Sequence, residues 1–109
     1  MKHRITLPQL KKYDITQKVI EALADAESRS IIFSITRKGK TAANLSQLLK
    51  IPLSSVYKKL SDLEDLTLVE IEKTILSDTG RRFKVYKSRI NKAEILIKKP
   101  EPTLSLSAN

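Results

Sequence analysis

Cysteine is absent from the 109 residues, which removes disulfides, Cys-ligated zinc, iron–sulfur clusters and thiol chemistry from consideration. Histidine occurs once, at His3, so a histidine-based catalytic pair would have to be built on the N-terminal end. No aliphatic or aromatic run exceeds three residues, as in Ile31-Ile32-Phe33, too short for a membrane span or a secretory h-region. Two phenylalanines and three tyrosines are few platforms for stacking single-stranded bases, which ranks RNA low among the possible ligands. Asp62, Glu64 and Asp65 gather carboxylates, but no nucleophile, metal-ligand set or phosphate loop adjoins them. Gly39 in Lys38-Gly39-Lys40 completes no phosphate-binding signature. The expectation is a non-enzymatic domain with no cofactor and no metal.

What is present is a globular profile, 40% hydrophobic and 30% charged, at a length that suits one domain. The net charge is +9, from 21 Lys plus Arg against 12 Asp plus Glu. It is unevenly placed: residues 1–13 carry +4, residues 31–50 carry +4 and residues 66–90 carry +3. Positive clusters of this kind favour a polyanion, because Lys and Arg release the counterions condensed on phosphates.

Periodicity divides the chain. Residues 1–13 have no sustained period and are interrupted by Pro8, which reads as a basic arm. From Asp14, an expected N-cap, Ile15, Val19, Ile20 and Leu23 recur at helical spacing. A second helix is expected over 26–37, with Ile31, Ile32 and Ile35 inward and Gly39 as its stop; with no strong breaker at 25–27, one bent helix is the alternative. Two short helices follow, over 43–50 and 52–66, joined at Ile51-Pro52 and striped by Leu45, Leu48 and Leu49 and by Val56, Leu60, Leu63 and Leu66. That pair reads as a helix-turn-helix. After Leu66 the period falls to two, and Ser77-Asp78-Thr79-Gly80-Arg81 separates two strands as a basic-tipped hairpin, with Gly80 supplying a positive φ. Residues 93–97 suggest a further short strand, with Ile95-Leu96-Ile97 equally compatible with helix, and Pro100 and Pro102 open a polar, mobile tail over 103–109.

Four segments in this order resemble the ArsR-type winged-helix transcriptional regulators, in a version without metal-sensing cysteines. Ala24-Asp25-Ala26-Glu27-Ser28-Arg29-Ser30-Ile31-Ile32 is similar to that family's opening ADPTRRxIL. Residues 41–51, TAANLSQLLKI, are similar to TVGELAEALGL. Residues 53–63, LSSVYKKLSDL, match the recognition-helix pattern xSTVSRHLxxL without gaps. Leu68-Val69 stands where the family enters its wing. The resemblance covers about two-thirds of the chain. It departs from the pattern at Lys50, where a turn glycine is usual, in the missing opening proline, and in the lack of a visible C-terminal dimerisation helix.

The resemblance implies a mainly α fold with a small β-hairpin wing (α+β), divided into a basic arm over 1–13, a winged-helix DNA-binding domain over 14–90, and a C-terminal strand or extension with a flexible tail over 91–109. The recognition helix would enter the major groove of double-stranded DNA. At 100° per residue, Val56, Leu60 and Leu63 share one face, and Ser54, Lys58 and Ser61 lie opposite with Ser55 and Tyr57 on the flanks. Ser54, Ser55, Tyr57, Lys58 and Ser61 are therefore the expected helix contacts, and Arg81, Arg82 and Lys84 the expected wing contacts, with Lys87 and Arg89 extending the same positive stripe. One winged helix reads few base pairs, so a homodimer through residues 5–25 and 90–98 is expected, reading a pseudo-palindrome in the cytoplasm, at the nucleoid. The alternative is a winged-helix protein-interaction module inside a transcription or other multi-subunit assembly. No effector site is legible.

Overall fold

A computed structural model describes residues 7–109, with side chains from Ile15 onward. Residues 1–6 of the expected basic arm lie outside the described residues. The first helix, α1 (Leu7–Ala24), begins well before Asp14. Pro8 sits in its first turn, where a missing N–H costs nothing, so proline starts this helix rather than interrupting it.

Asp25 separates α1 from α2 (Ala26–Ser34), which settles the choice between one bent helix and two. Its backbone turns extended, at φ −80° and ψ 119°, and its carboxylate accepts from the Ser28 N–H at 3.0 Å and the Ser28 hydroxyl at 2.7 Å. That is an N-cap, which supplies an acceptor to a helix start that otherwise has unpaired donors. Arg29 donates back to the Leu23 carbonyl at 2.7 Å, so the end of α1 and the start of α2 are tied to each other.

α2 stops at Ser34, three residues short of the expected Arg37. The next four carbonyls explain why. Lys40 Nζ donates to Ser34 O, the Ser88 N–H to Ile35 O, Asn109 Nδ2 to Thr36 O and Lys87 Nζ to Arg37 O. Donors outside the helix satisfy the carbonyls that a further helical turn would otherwise have used.

The short strand β1 (Lys40–Thr41) leads into α3 (Ala42–Leu49), which is capped by the Thr41 hydroxyl accepting from the Asn44 N–H. α3 ends on Lys50 in the left-handed region, φ 56° and ψ 43°, the conformation that favours glycine at this position. α4 (Leu53–Asp65) follows from Pro52. Its stripe of Val56, Leu60 and Leu63 meets Ile31, Ile32 and Ile35 of α2 and Leu45 of α3 in one buried core, to which α1 adds Val19 and Leu23. Leu48 stays exposed, outside the stripe expected to bury it.

The wing is β2 (Val69–Leu76) and β3 (Arg82–Ser88), antiparallel, with β1 on the other edge of β3. Gly39 lies beneath it: a Cβ there would come within 2.7 Å of Val85 Cγ1 and 3.0 Å of the Tyr86 carbonyl oxygen. Residues 103–109 are not a free tail. β4 (Ile90–Leu96) and β5 (Thr103–Ala108) form a separate two-stranded antiparallel sheet, with Pro100 and Pro102 in the connection between them. Asn109 is anchored by its N–H to Arg89 O and by its side chain to Thr36 O and Ser88 O.

Gly39→Ala should lower stability by about 1–3 kcal/mol, since a methyl forced against Val85 and the Tyr86 backbone has nowhere to go. Urea unfolding followed by circular dichroism measures it, and an unchanged midpoint would contradict the close approach.

Candidate nucleic-acid interface

α4 buries one side against α2 and α3, and that packing decides which side chains face out. Ser54, Lys58 and Ser61 are exposed on the face opposite Val56, Leu60 and Leu63, as the periodicity predicts. Ser55 is half-buried at one flank. Lys58 makes no hydrogen bond or ion pair among the described residues. Pro52 offers the helix no side-chain cap, so no side chain occupies the donors of its first turn.

Lys59 has a different role from its neighbour. It lies on the core side of α4, where Nζ sits 2.7 Å from Asp25 Oδ2 and 3.7 Å from Glu27 Oε1. The Lys59 ammonium, with the Ser28 hydroxyl and N–H, holds the Asp25 carboxyl down at about 2 from its usual 3.8. The Lys59 pKa is raised in turn, chiefly by the hydrogen bond to Asp25. The lysine pair of α4 thus splits into one charge without a partner among the described residues and one that clamps α4 to the start of α2.

Tyr57 is 52% exposed and lies on the wing side of α4. With Glu64 it contributes to raising the pKa of the Tyr86 phenol, whose burial is the larger cause. Tyr86 belongs to β3 and is buried in one core with Val56, Leu60 and Leu63, so the face of the wing that carries Tyr86 turns towards the core. Side chains alternate along a strand, so Arg82 and Lys84 share that face with Tyr86. The register pairs Arg82 with Leu76 and Lys84 with Thr74, and an irregularity between Ile71 and Lys73 keeps Ile71 opposite Tyr86. Arg82 and Lys84 are exposed and make no ion pair among the described residues.

At the tip, Gly80 adopts φ 82°. The Ser77 N–H donates to Arg81 O at 2.8 Å, the Arg81 N–H to Ser77 Oγ at 3.1 Å, and the Gly80 N–H to Ser77 O at 2.9 Å. The backbone of Arg81 is therefore held at both ends by Ser77, and its guanidinium lies 5.7 Å from the centre of the Phe83 ring, within cation–π range.

The remainder of the expected stripe is interrupted. Lys87 falls on the opposite face and donates to Arg37 O, while Arg89 pairs with Glu70 at 3.8 Å. Asp62 and Asp65, together with Glu21 and Asp25, line a cleft of about 620 Å³ between α1 and α4, which Lys18 and Lys59 also border. Among the described residues no group of three or more His, Cys, Asp or Glu side chains is placed to hold a metal ion, and no helix is long and apolar enough to cross a membrane. Reasoning from hydroxyls and lysines passed over Leu53, which is 43% exposed in the first turn of α4. No signal in the sequence marks it: at 100° per residue Leu53 lies within about 20° of Leu60, on the apolar side of the helix, and only its place in the first turn leaves it exposed.

No family model and no curated protein matches the chain. Among solved structures, NolR from Sinorhizobium fredii is similar over 80% of this chain and 81% of that chain, with 17% sequence identity and a TM-score of 0.60. The likeness establishes a shared winged-helix fold, four helices with a small antiparallel wing.

Asp25→Ala should cost about 1–2 kcal/mol at neutral pH, through loss of the cap and of the Lys59 clamp. The folded-state pKa of Asp25 lies below its unfolded value, so its contribution is full above about pH 4 and fades as the pH falls towards 2. Thermal melts of the two proteins should converge over that window; a constant gap down to pH 2 would contradict the ionic part of the clamp.

Proposed function

We propose that this chain is a sequence-specific regulator of transcription that binds double-stranded DNA, of the ArsR-like winged-helix kind and without metal sensing. The observation that carries the reading is the placement of unpartnered donors. Among the described residues, Ser54, Lys58 and Ser61 lie on the outer face of α4, and Arg82 and Lys84 lie on the face of the wing that carries Tyr86 into the core. A helix of this width fits a major groove, where hydroxyls and lysine bond base edges or phosphates. Uncapped donors at the start of α4 suit a phosphate. Arg81, fixed at the tip, suits the flanking backbone or a minor groove. NolR, a winged-helix transcription regulator with the same fold, adds support of a coarser kind.

One domain of this size contacts a single half-site, so the reading includes a homodimer on a pseudo-palindrome. Of the surfaces expected to form it, the side chains of α1 are described from Ile15, which is exposed, and Ile95, Leu96 and Ile97 are exposed beyond the core.

The test is a fluorescence-anisotropy titration against the promoter region of its own gene and a random duplex of equal length, over several salt concentrations. Promoter preference is expected. Lys58→Ala and Arg81→Ala should each weaken binding and reduce the slope of log affinity against log salt by about one. Lys59→Ala should leave the slope unchanged and lower the melting temperature instead. Equal affinity for both duplexes that vanishes at physiological salt would overturn the proposal.

A further inference from the structure

β4 and β5 stand apart from the wing as a sheet of two strands. Ile90 is buried, Ala93 and Leu104 pack partly against the core, and Asn109 ties down the end. Beyond those anchors the hairpin is exposed, with Ile97 73% and Leu106 40% accessible. A two-stranded sheet is marginal in water and gains from further strands.

Its two edges differ. β4 carries Lys92 and Glu94, which pair at 2.8 Å, an irregularity after Ile90, and Lys98 and Lys99 just beyond. The wing's edge strand β2 is guarded similarly, by Glu70, Glu72, Lys73 and its own irregularity. Charges and bulges of this kind deter edge-to-edge pairing. β5 has neither. From Pro102 to Asn109 the sequence is uncharged, in a chain of which 30% is charged, and the strand itself reads Thr-Leu-Ser-Leu-Ser-Ala. Among the described residues its outer edge pairs with nothing.

We propose that β5 pairs antiparallel with β5 of a second copy of this chain, across a two-fold axis at Ser105, to make a four-stranded sheet. Charge argues for a second copy. At +9 the chain would draw an acidic partner to its basic surfaces, whereas two copies repel one another there and can approach along a neutral strand. The strand is also self-complementary. An axis at Ser105 sets Ser105 opposite Ser105 of the second copy, Leu104 opposite Leu106 and Thr103 opposite Ser107. β4 already pairs Ile95 with Leu104 and Ala93 with Leu106. One apolar row then runs Ile95, Leu104, Leu106, Ala93 across both copies, and its mirror runs back. This deepens the homodimer part of the proposed function and does not depend on DNA.

The chain lacks cysteine, which makes the axis directly testable. Under mild oxidation S105C should cross-link to a covalent dimer, because directly opposed residues have Cβ atoms about 4.5–5.5 Å apart; S61C, on α4, should remain uncross-linked. By sedimentation velocity at high micromolar concentration the unmodified chain should be a dimer. S105K sets like charges face to face, while Glu94 on its own β4 neighbours the new lysine, so the mass should halve with the circular dichroism unchanged. A dimer that survives S105K would put the contact elsewhere, as on α1. A monomeric unmodified chain would leave the edge to an extended segment of another protein. Either result, or equal cross-linking of S61C, overturns the proposal. A monomer that still prefers its promoter would preserve the DNA reading, and a dimer without that preference would preserve this one alone.

Discussion

Four consecutive carbonyls, from Ser34 to Arg37, form the point on which the rest of the structure turns. A helix end leaves acceptors unpaired, and here the carbonyls of Ser34, which closes α2, and of the three residues beyond it are taken by donors from three later segments: Lys40 in β1, Lys87 and Ser88 at the end of the wing, and Asn109 after the second hairpin. Each bond contributes about 1 kcal/mol net, and at Ile35, which is fully buried, a carbonyl left unpaired would cost more. The need to satisfy them therefore brings both hairpins back to the C-terminal end of α2, and it accounts for Gly39, over which the wing passes too closely for a side chain.

The same economy divides the basic residues. Arg29, Lys40, Lys59, Lys87 and Arg89 are engaged with backbone carbonyls or carboxylates. Among the described residues, Lys58, Arg82 and Lys84 are left without such partners. A total of +9 treats all of these alike, although exposure and unpaired donors distinguish a charge available to a ligand from one that holds the fold together. Lys58 and Lys59 show how sharp the division is: adjacent in sequence, they are about 100° apart around the helix, enough for one to face solvent and the other to meet Asp25.

The helix-turn-helix and wing were legible because their apolar spacing reports burial directly: Val56, Leu60 and Leu63 at helical intervals, then alternation on either side of Gly80. The exposed positions of Ser54, Lys58, Ser61, Arg81, Arg82 and Lys84 follow from the same spacing. What lay beyond reach depended on partners distant in sequence. Nothing local to α2 foretells that Ser88 and Asn109 will end it, and nothing in Lys59 foretells Asp25, 34 positions away. Two misses had local signals. The alternating Leu104-Ser105-Leu106-Ser107 is a strand pattern that Pro100 and Pro102 obscured, since prolines between strands belong to a connection as readily as to a tail. Pro8 marked the first turn of a helix rather than a break in an arm.

Under the proposed binding of DNA, the cleft between α1 and α4 would have a consequence for how the molecule approaches a polyanion. Glu21, Asp25, Asp62 and Asp65 line it, while the unpartnered cations lie on the outer face of α4 and along the wing. The charge distribution is polar as well as positive. In the field of a phosphate backbone such a molecule experiences a torque, which turns its acidic cleft away and its cationic surface inward before any contact forms. If the proposed DNA binding holds, orientation during the approach would shorten the search through unproductive collisions, and the carboxylates would act on association rate without touching the DNA.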